Sequence, residues 1–271
     1  MAERKTYEEL TFCDDFMFCK VLENDPDLCK ALLEVILGHK IRGHVQLRKQ
    51  ASIDHSALSH GVRFDVFAMD KNGIAYDVEM QQAGSPKELP KRSRYQQSMM
   101  DLELLRPGEA YGRLRKSYVI FICRFNMYPQ EGLHKYSFRN VCRELPKLEL
   151  EDGAETIFLC TKGKADDAPK ELQNLFQYME EQAAGDALTE RIDAAVQQAR
   201  ILGKWRKEYM TLQDYMQKER QEGRKEERAN TLREKKRADA AEKRADNERT
   251  RADAAEAKIK ELEARLKELG G

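Results

Sequence analysis

Neither sign of charge dominates this chain: 48 Lys and Arg are balanced by 48 Asp and Glu. That excludes a global field drawing it to nucleic acid or a membrane, so any such affinity must rest on local patches. No apolar run approaches the ~18 residues of a membrane helix. The opening MAERKTYEEL holds no apolar core of signal-peptide length. The expected location is cytoplasmic, with no membrane partner. The cysteines (Cys13, Cys19, Cys29, Cys123, Cys142 and Cys160) form no C-x-x-C and no close pair. They read as reduced, buried thiols rather than a disulfide framework. His39 and His44, and likewise His55 and His60, have no Cys or carboxylate at ligand spacing. Loop or surface positions are expected for them.

Charge itself is plentiful. Charged residues make up 35% of the chain, above the roughly 25% of an average globular protein, and the excess sits mostly in the C-terminal fifth. Residues 11–38 predict two helices, with Asp14 or Asp15 as N-cap and Asp25-Pro26 as the break. HVQLRKQASID predicts a strand and HSALSHG a loop. Residues 87–105 predict a helix with Pro90 near its start and Pro107-Gly108 beyond its end. SYVIFICRF, 117–125, is a continuous apolar run of the kind found in a buried central strand. Tyr136–Val141 and Thr156–Cys160 predict shorter strands. Residues 169–184 and 186 to about 216 predict helices, the second carrying the single Trp, Trp205.

The tail is a different material. Arg-Ala-Asp recurs at 237, 244 and 251. Ala238, Ala245, Ala252, Ile259 and Leu266 share one heptad position. Ala241, Glu248, Ala255, Leu262 and Leu269 share the position three further on. This is an a/d seam, Ala-rich first and Ile/Leu over the last two heptads. It supports a homo-oligomer through residues 236–269. A solvated single helix held by i,i+4 charge pairs is the other reading.

RFDVFAMDKNGIAYDVEMQ, residues 63–81, predicts a hairpin. The turn decides its chemistry. A two-residue Asn-Gly loop would place Asp65 and Glu79 on opposite faces. A three-residue loop, Lys71-Asn72-Gly73 with Gly73 left-handed, sets Asp65 opposite Glu79. Phe64, Val66, Ala68, Tyr76, Val78 and Met80 then make one apolar face, and this register is the expectation. Opposed carboxylates repel, so a cation belongs between them: Arg63 as a salt bridge, or a hard divalent ion that takes one or two carboxylates and keeps its waters. Asp77 shares the face of Glu79 and is expected to be solvated or ion-paired.

Asp65, thirteen residues, then Glu79-Met80-Gln81 resembles the PD-(D/E)XK nuclease signature, with Gln in place of the usual final Lys. DDFMFCKVL, RFDVFA, YDVEMQ, RSRYQQS, GEAYGRLRKSYVIFICRFN and IFLCTKG together resemble the PD-(D/E)XK nuclease family transposases, over about residues 8–215. The resemblance implies an α/β, restriction-endonuclease-like core: a mixed central sheet flanked by helices, here with a helical coiled-coil tail. It implies Mg²⁺, with Mn²⁺ as substitute, held by Asp65 and Glu79, with the Met80 backbone carbonyl and Glu34 as further ligands. Gln81, unable to take up a proton, would orient a water. Arg92 and Tyr95 match the family's Arg and Tyr on the following helix, for a phosphate contact and a hydrogen bond to water or substrate. The alternative for Arg92 is a pair with Asp77.

The expected domains are 1–165, the nuclease-like core; 166–216, a helical extension; and 217–271, the coil. DNA is the expected partner. Residues 38–50 hold Lys40, Arg42, Arg48 and Lys49 and no acid, and residues 87–116 carry a net charge of four positive, including Lys91, Arg92 and Arg94. The expected function is a metal-dependent DNA endonuclease that promotes recombination. Two rivals remain: a nuclease-fold module that binds DNA or protein without cutting, and a coiled-coil scaffold with a partner-binding head.

Overall fold

The computed structural model describes residues 5–48, 52–53, 62–164, 166–203 and 205–269. The chain divides into two compact units, Met1–Lys207 and Glu208–Gly271. The first opens with α1 (Asp15–Asn24) and α2 (Pro26–Leu37). Asp14 is the N-cap position of α1, but its carboxylate turns back to the Thr11 N–H (2.7 Å) and Lys5. Asp25 caps α2 by accepting from the Leu28 N–H, Pro26 sits in its first turn, and Gly38 ends it at φ +75°. Each uses a residue suited to its place: an acid for orphan N–H groups, Pro where no N–H is needed, Gly where φ turns positive.

The strands are β1 (Val45–Arg48), β2 (Ser52–Ile53), β3 (Val62–Arg63), β4 (Val66–Asp70), β5 (Ala75–Gln81), β6 (Ser117–Cys123), β7 (Lys135–Phe138) and β8 (Ala154–Cys160). Six of them form one mixed sheet in the order β1-β4-β5-β6-β8-β7. β5, β6 and β8 run parallel to one another, and the outer pairings are antiparallel. β6 is buried along its whole length, as its unbroken apolar run requires. The sheet is flanked by helices, consistent with a restriction-endonuclease-like α/β fold. α3 (Leu89–Leu104) covers one face, where Leu89, Met99 and Met100 join Phe67, Val119, Phe121 and Phe158. α1 packs on β4 and α2 on β1. α4 (Lys170–Glu181) packs on α2, α5 (Ala187–Leu202) packs on α1 and α2, and α4 and α5 pack on each other.

Several expectations change. Strand one begins at Val66, not Arg63. The chain bends at Asp65, and Val62–Arg63 pairs instead with Ser52–Ile53 in a separate two-stranded sheet. Phe64 therefore leaves the Val66 face and packs with Phe67, ring centroids 5.4 Å apart. The Arg63 side chain, residues 49–51 and the whole HSALSHG loop lie outside the described residues. The helix expected from 186 to about 216 stops at Leu202, because Gly203 takes φ +56°, and a new helix, α6 (Arg206–Leu269), begins. The first of the two expected shorter strands lies at Lys135–Phe138 rather than 136–141. All six cysteines are free, but Cys19 and Cys142 are only half-buried.

The second unit is the long helix α6. Along it Leu232, Ile259 and Leu262 stand exposed. The side chains of Leu266 and Leu269, which close the expected seam, lie outside the described residues.

Candidate active site

The hairpin adopts the three-residue loop. The Asp70 N–H bonds the Ile74 carbonyl and the Gly73 N–H bonds the Asp70 carbonyl, each at 3.0 Å, with Gly73 at φ +78°. The Asp70 carboxylate holds the turn from inside by accepting from the Asn72 and Ile74 N–H groups. Val66 pairs with Val78 and Ala68 with Tyr76, so the position opposite Glu79 falls to Asp65. There the ladder ends, and side chains replace its bonds. The Asp65 N–H donates to Glu79 Oε1, and the Met80 N–H donates to Asp65 Oδ2, both at 3.1 Å. Each carboxylate is thus clamped to the other strand's backbone.

Asp77, Glu79 and Gln81 point to the face covered by α3. Glu79 and Asp77 are fully buried there. Arg92, in the first turn of α3, brings the compensating charge: its guanidinium bonds Glu79 Oε2 at 2.5 Å and Gln81 Oε1 at 3.3 Å, and lies over the Phe121 ring. The Arg92 side chain remains 45% exposed, so one end of it meets solvent while the other meets the buried acid. The Gln81 amide is used at both ends, donating through Nε2 to the Met80 carbonyl at 2.9 Å.

The electrostatics follow from crowding acids in a desolvated place. Burial, then the charge of Glu79, pushes the Asp65 carboxyl up to about 8. Burial raises Glu79 against the opposing pull of Arg92. Asp77 is raised well above the carboxylate range by burial and then by Glu79 and Asp65. This overturns the expectation of a solvated or ion-paired Asp77: neither carboxyl oxygen makes a hydrogen bond of good geometry, though the Glu79 carboxyl lies close enough to raise it further. Arg92 pairs with Glu79 and not with it. Gln96, buried on α3, lies close enough to lower the Glu79 carboxyl but outside hydrogen-bonding geometry.

Other expected site residues are placed as follows. Lys91, Arg94 and Tyr95 lie exposed on α3, Tyr95 at 41%. Glu34 accepts from Lys40 (2.8 Å) and from the Ile41 N–H (2.9 Å), which holds its carboxyl below the ordinary value and fastens the turn from α2 toward β1. The early-helix acid whose charge reaches Asp65 is Asp15, in the first turn of α1. It is exposed by surface area, yet surrounding protein desolvates its carboxyl and raises it. Asp15 and Gln96 were missed as site residues. Both lie inside segments that carry the family resemblance, DDFMFCKVL and RSRYQQS, which was the available signal.

A family model described as PD-(D/E)XK nuclease family transposase matches residues 13–262. The chain belongs to this family. No curated protein and no solved structure matches it.

PD-(D/E)XK nucleases generally use divalent metals, so the fit of these residues to an ion can be tested. Among the described residues, no group of three or more His, Cys, Asp or Glu side chains is arranged to hold a metal. Mg²⁺ asks for less, since one or two carboxylates suffice when waters complete its shell. Asp65 and Glu79 meet that demand. Three crowded acids, Asp65, Asp77 and Glu79, face one guanidinium, and the Asp77 oxygens are orphaned. A PD-(D/E)XK site of this composition lacks positive charge, which a divalent cation would supply. The residues fit the group.

Proposed function

We propose that the protein is a Mg²⁺-dependent DNA endonuclease, with Mn²⁺ as substitute, that hydrolyses phosphodiester bonds and so promotes recombination. The observation that carries this reading is the mutual clamp of Asp65 and Glu79 across the hairpin, buried and short of positive charge beside a half-exposed Arg92. Asp65 and Glu79 would hold the ion, with the Met80 carbonyl, which now accepts from Gln81 Nε2, as a further ligand. When bound, the ion supplies Lewis acidity toward water and the phosphoryl oxygens. Arg92 neutralises Glu79 and offers its exposed edge to a phosphate. Gln81 orients the attacking water through its amide, which can accept or donate a hydrogen bond but cannot remove a proton. Lys91, Arg94 and Tyr95 present the exposed side of α3 to the DNA backbone. The tail joins copies of the chain.

A non-cutting DNA-binding module is the second reading, favoured by one observation. Gln81 stands where the family's Lys usually does, and both ends of its amide are engaged. A supercoiled-plasmid nicking assay with Mg²⁺, Mn²⁺ or EDTA separates the two, run beside Asp65→Asn and Glu79→Gln. The nuclease nicks only with metal, and each variant loses at least about a hundredfold in rate, as expected when a group acting on the developing charge is removed. No metal-dependent nicking, with DNA retention unchanged in both variants, selects the binding module. Equal nicking by all three proteins removes the enzyme.

A further inference from the structure

The seam of α6 is flanked by charges in an order that discriminates between arrangements of helices. With Ala238 at a and Ala241 at d, the g positions are Arg237, Arg244, Arg251 and Lys258. The e positions are Glu242, Arg249 and Glu256. The g row is wholly basic and the e row is mainly acidic. In a parallel coil, each g residue faces the e′ residue five positions later on the other helix. In an antiparallel coil, g faces g′ and e faces e′. The parallel arrangement therefore joins Arg237 to Glu242 of the second copy and Arg251 to Glu256 of the second copy, twice each by symmetry. One flanking contact is wrong, Arg244 against Arg249, and in the seam itself the two Glu248 side chains at d face each other. The antiparallel arrangement sets a basic row against itself and a mostly acidic row against itself.

The core positions speak to strand number. From 238 to 255 the a and d residues are Ala, apart from Glu248. A seam of methyl groups closes when two helices approach, but it leaves an unfilled channel at the centre of three or four. Ile259 and Leu262, 55% and 49% exposed on the isolated helix, supply the larger apolar layers toward the C-terminal end. We infer that residues 237–262 form the interface of a parallel, in-register homodimer, with a second copy of this chain as the partner. This deepens the proposal that the tail joins copies, and it does not depend on whether the site cuts DNA.

The mismatched pair gives a test whose sign depends on orientation. In the full-length protein, Arg249→Glu turns two repulsive g–e′ contacts into attractive ones if the coil is parallel. The dissociation constant of the dimer, from analytical ultracentrifugation over a concentration series, should fall at least about threefold, the scale of two surface pairs changed from repulsive to attractive. In an antiparallel coil the same change adds an acid to an acidic row, and the dimer weakens. Lys243→Glu makes the same change of charge at an f position, outside both rows, and should leave the constant unchanged. Ala252→Cys, at an a position, should crosslink two full-length chains on mild oxidation, where Thr250→Cys at f does not. A monomer at all concentrations, a trimer or tetramer, a weaker dimer with Arg249→Glu, or no crosslink through Cys at 252 each overturns the inference.

Discussion

Asp65 carries its carboxyl at about 8, raised by burial first and by Glu79 second, against about 3.9 in an unfolded chain. The folded state therefore keeps a proton that the unfolded state has already released. Linkage fixes the sign: the unfolded state binds fewer protons, so stability falls as pH climbs from about 4 to about 8 and then levels. Glu79 and Asp77, also raised, act in the same direction. Glu34, Asp167, Glu180 and Asp186, held low by their partners, lose their contributions only on acidification; Asp101, raised by burial, adds to the fall above about pH 5, so comparison with Asp65→Asn isolates the site. Differential scanning calorimetry of the metal-free protein should show Tm falling across that window, with a shallower fall in Asp65→Asn. Mg²⁺ should recover the loss near pH 8, because it binds the ionised pair and stabilises the state it binds. Gln81 makes a separate prediction. Its amide tethers Arg92 and caps the Met80 carbonyl. Gln81→Ala should therefore lower kcat for nicking about tenfold while leaving Mg²⁺ affinity by calorimetry within about twofold, since the two carboxylates stay in place.

At the scale of elements, the hairpin turn sets the register that brings Asp65 across from Glu79. Gly73 sits at φ +78°, and a Cβ there would lie 3.3 Å from the flexible Arg115 side chain. Backbone conformation, more than space, is the constraint. Gly73→Ala should cost about 1 kcal/mol in urea unfolding. Gly73→Asn should cost less, because Asn tolerates left-handed geometry. Both the turn and the opposition of the acids were legible in the sequence, since only the three-residue loop makes Val66 and Ala68 share a face with Tyr76 and Val78. The fate of Asp77 was not. Alternation along a hairpin suggests one dry face and one wet, but β5 lies between β4 and β6 with α3 across its polar side. The face that looked solvated is thus a second interior, and position within the sheet, set by long-range pairing, decided the burial. Asp15 and Gln96 come from helices distant in sequence, so no spacing rule links them to Glu79. Helical periodicity runs on either side of Gly203, and only its positive φ marks the stop.

For the whole molecule, the division at Lys207/Glu208 separates a sheet-centred unit from a helix whose described residues are mostly exposed. Stability and association should then be separable. The sheet and the helices α1 to α5 that pack around it lie before residue 208, so a chain ending after Met216 should keep the Tm of the full protein within a few degrees. It should run as a monomer by light scattering where the full chain should run as a dimer. The effect on DNA follows from connectivity. On the proposed nuclease reading, a parallel coil would tether two sheet-centred units through its N-terminal end, and two units on one duplex could attack both strands before either dissociates. This local supply of a second site amounts to a high effective concentration. A monomer must find the second strand in an independent encounter. On supercoiled plasmid at limiting enzyme, the full chain should therefore yield linear product alongside nicked circles from early times, whereas the truncated chain should accumulate nicked circles at a comparable first-cut rate with little linear DNA. A truncated chain that linearises plasmid in the same proportion would mean that strand pairing is achieved within the sheet-centred unit, and the coil would then serve association without serving the cut.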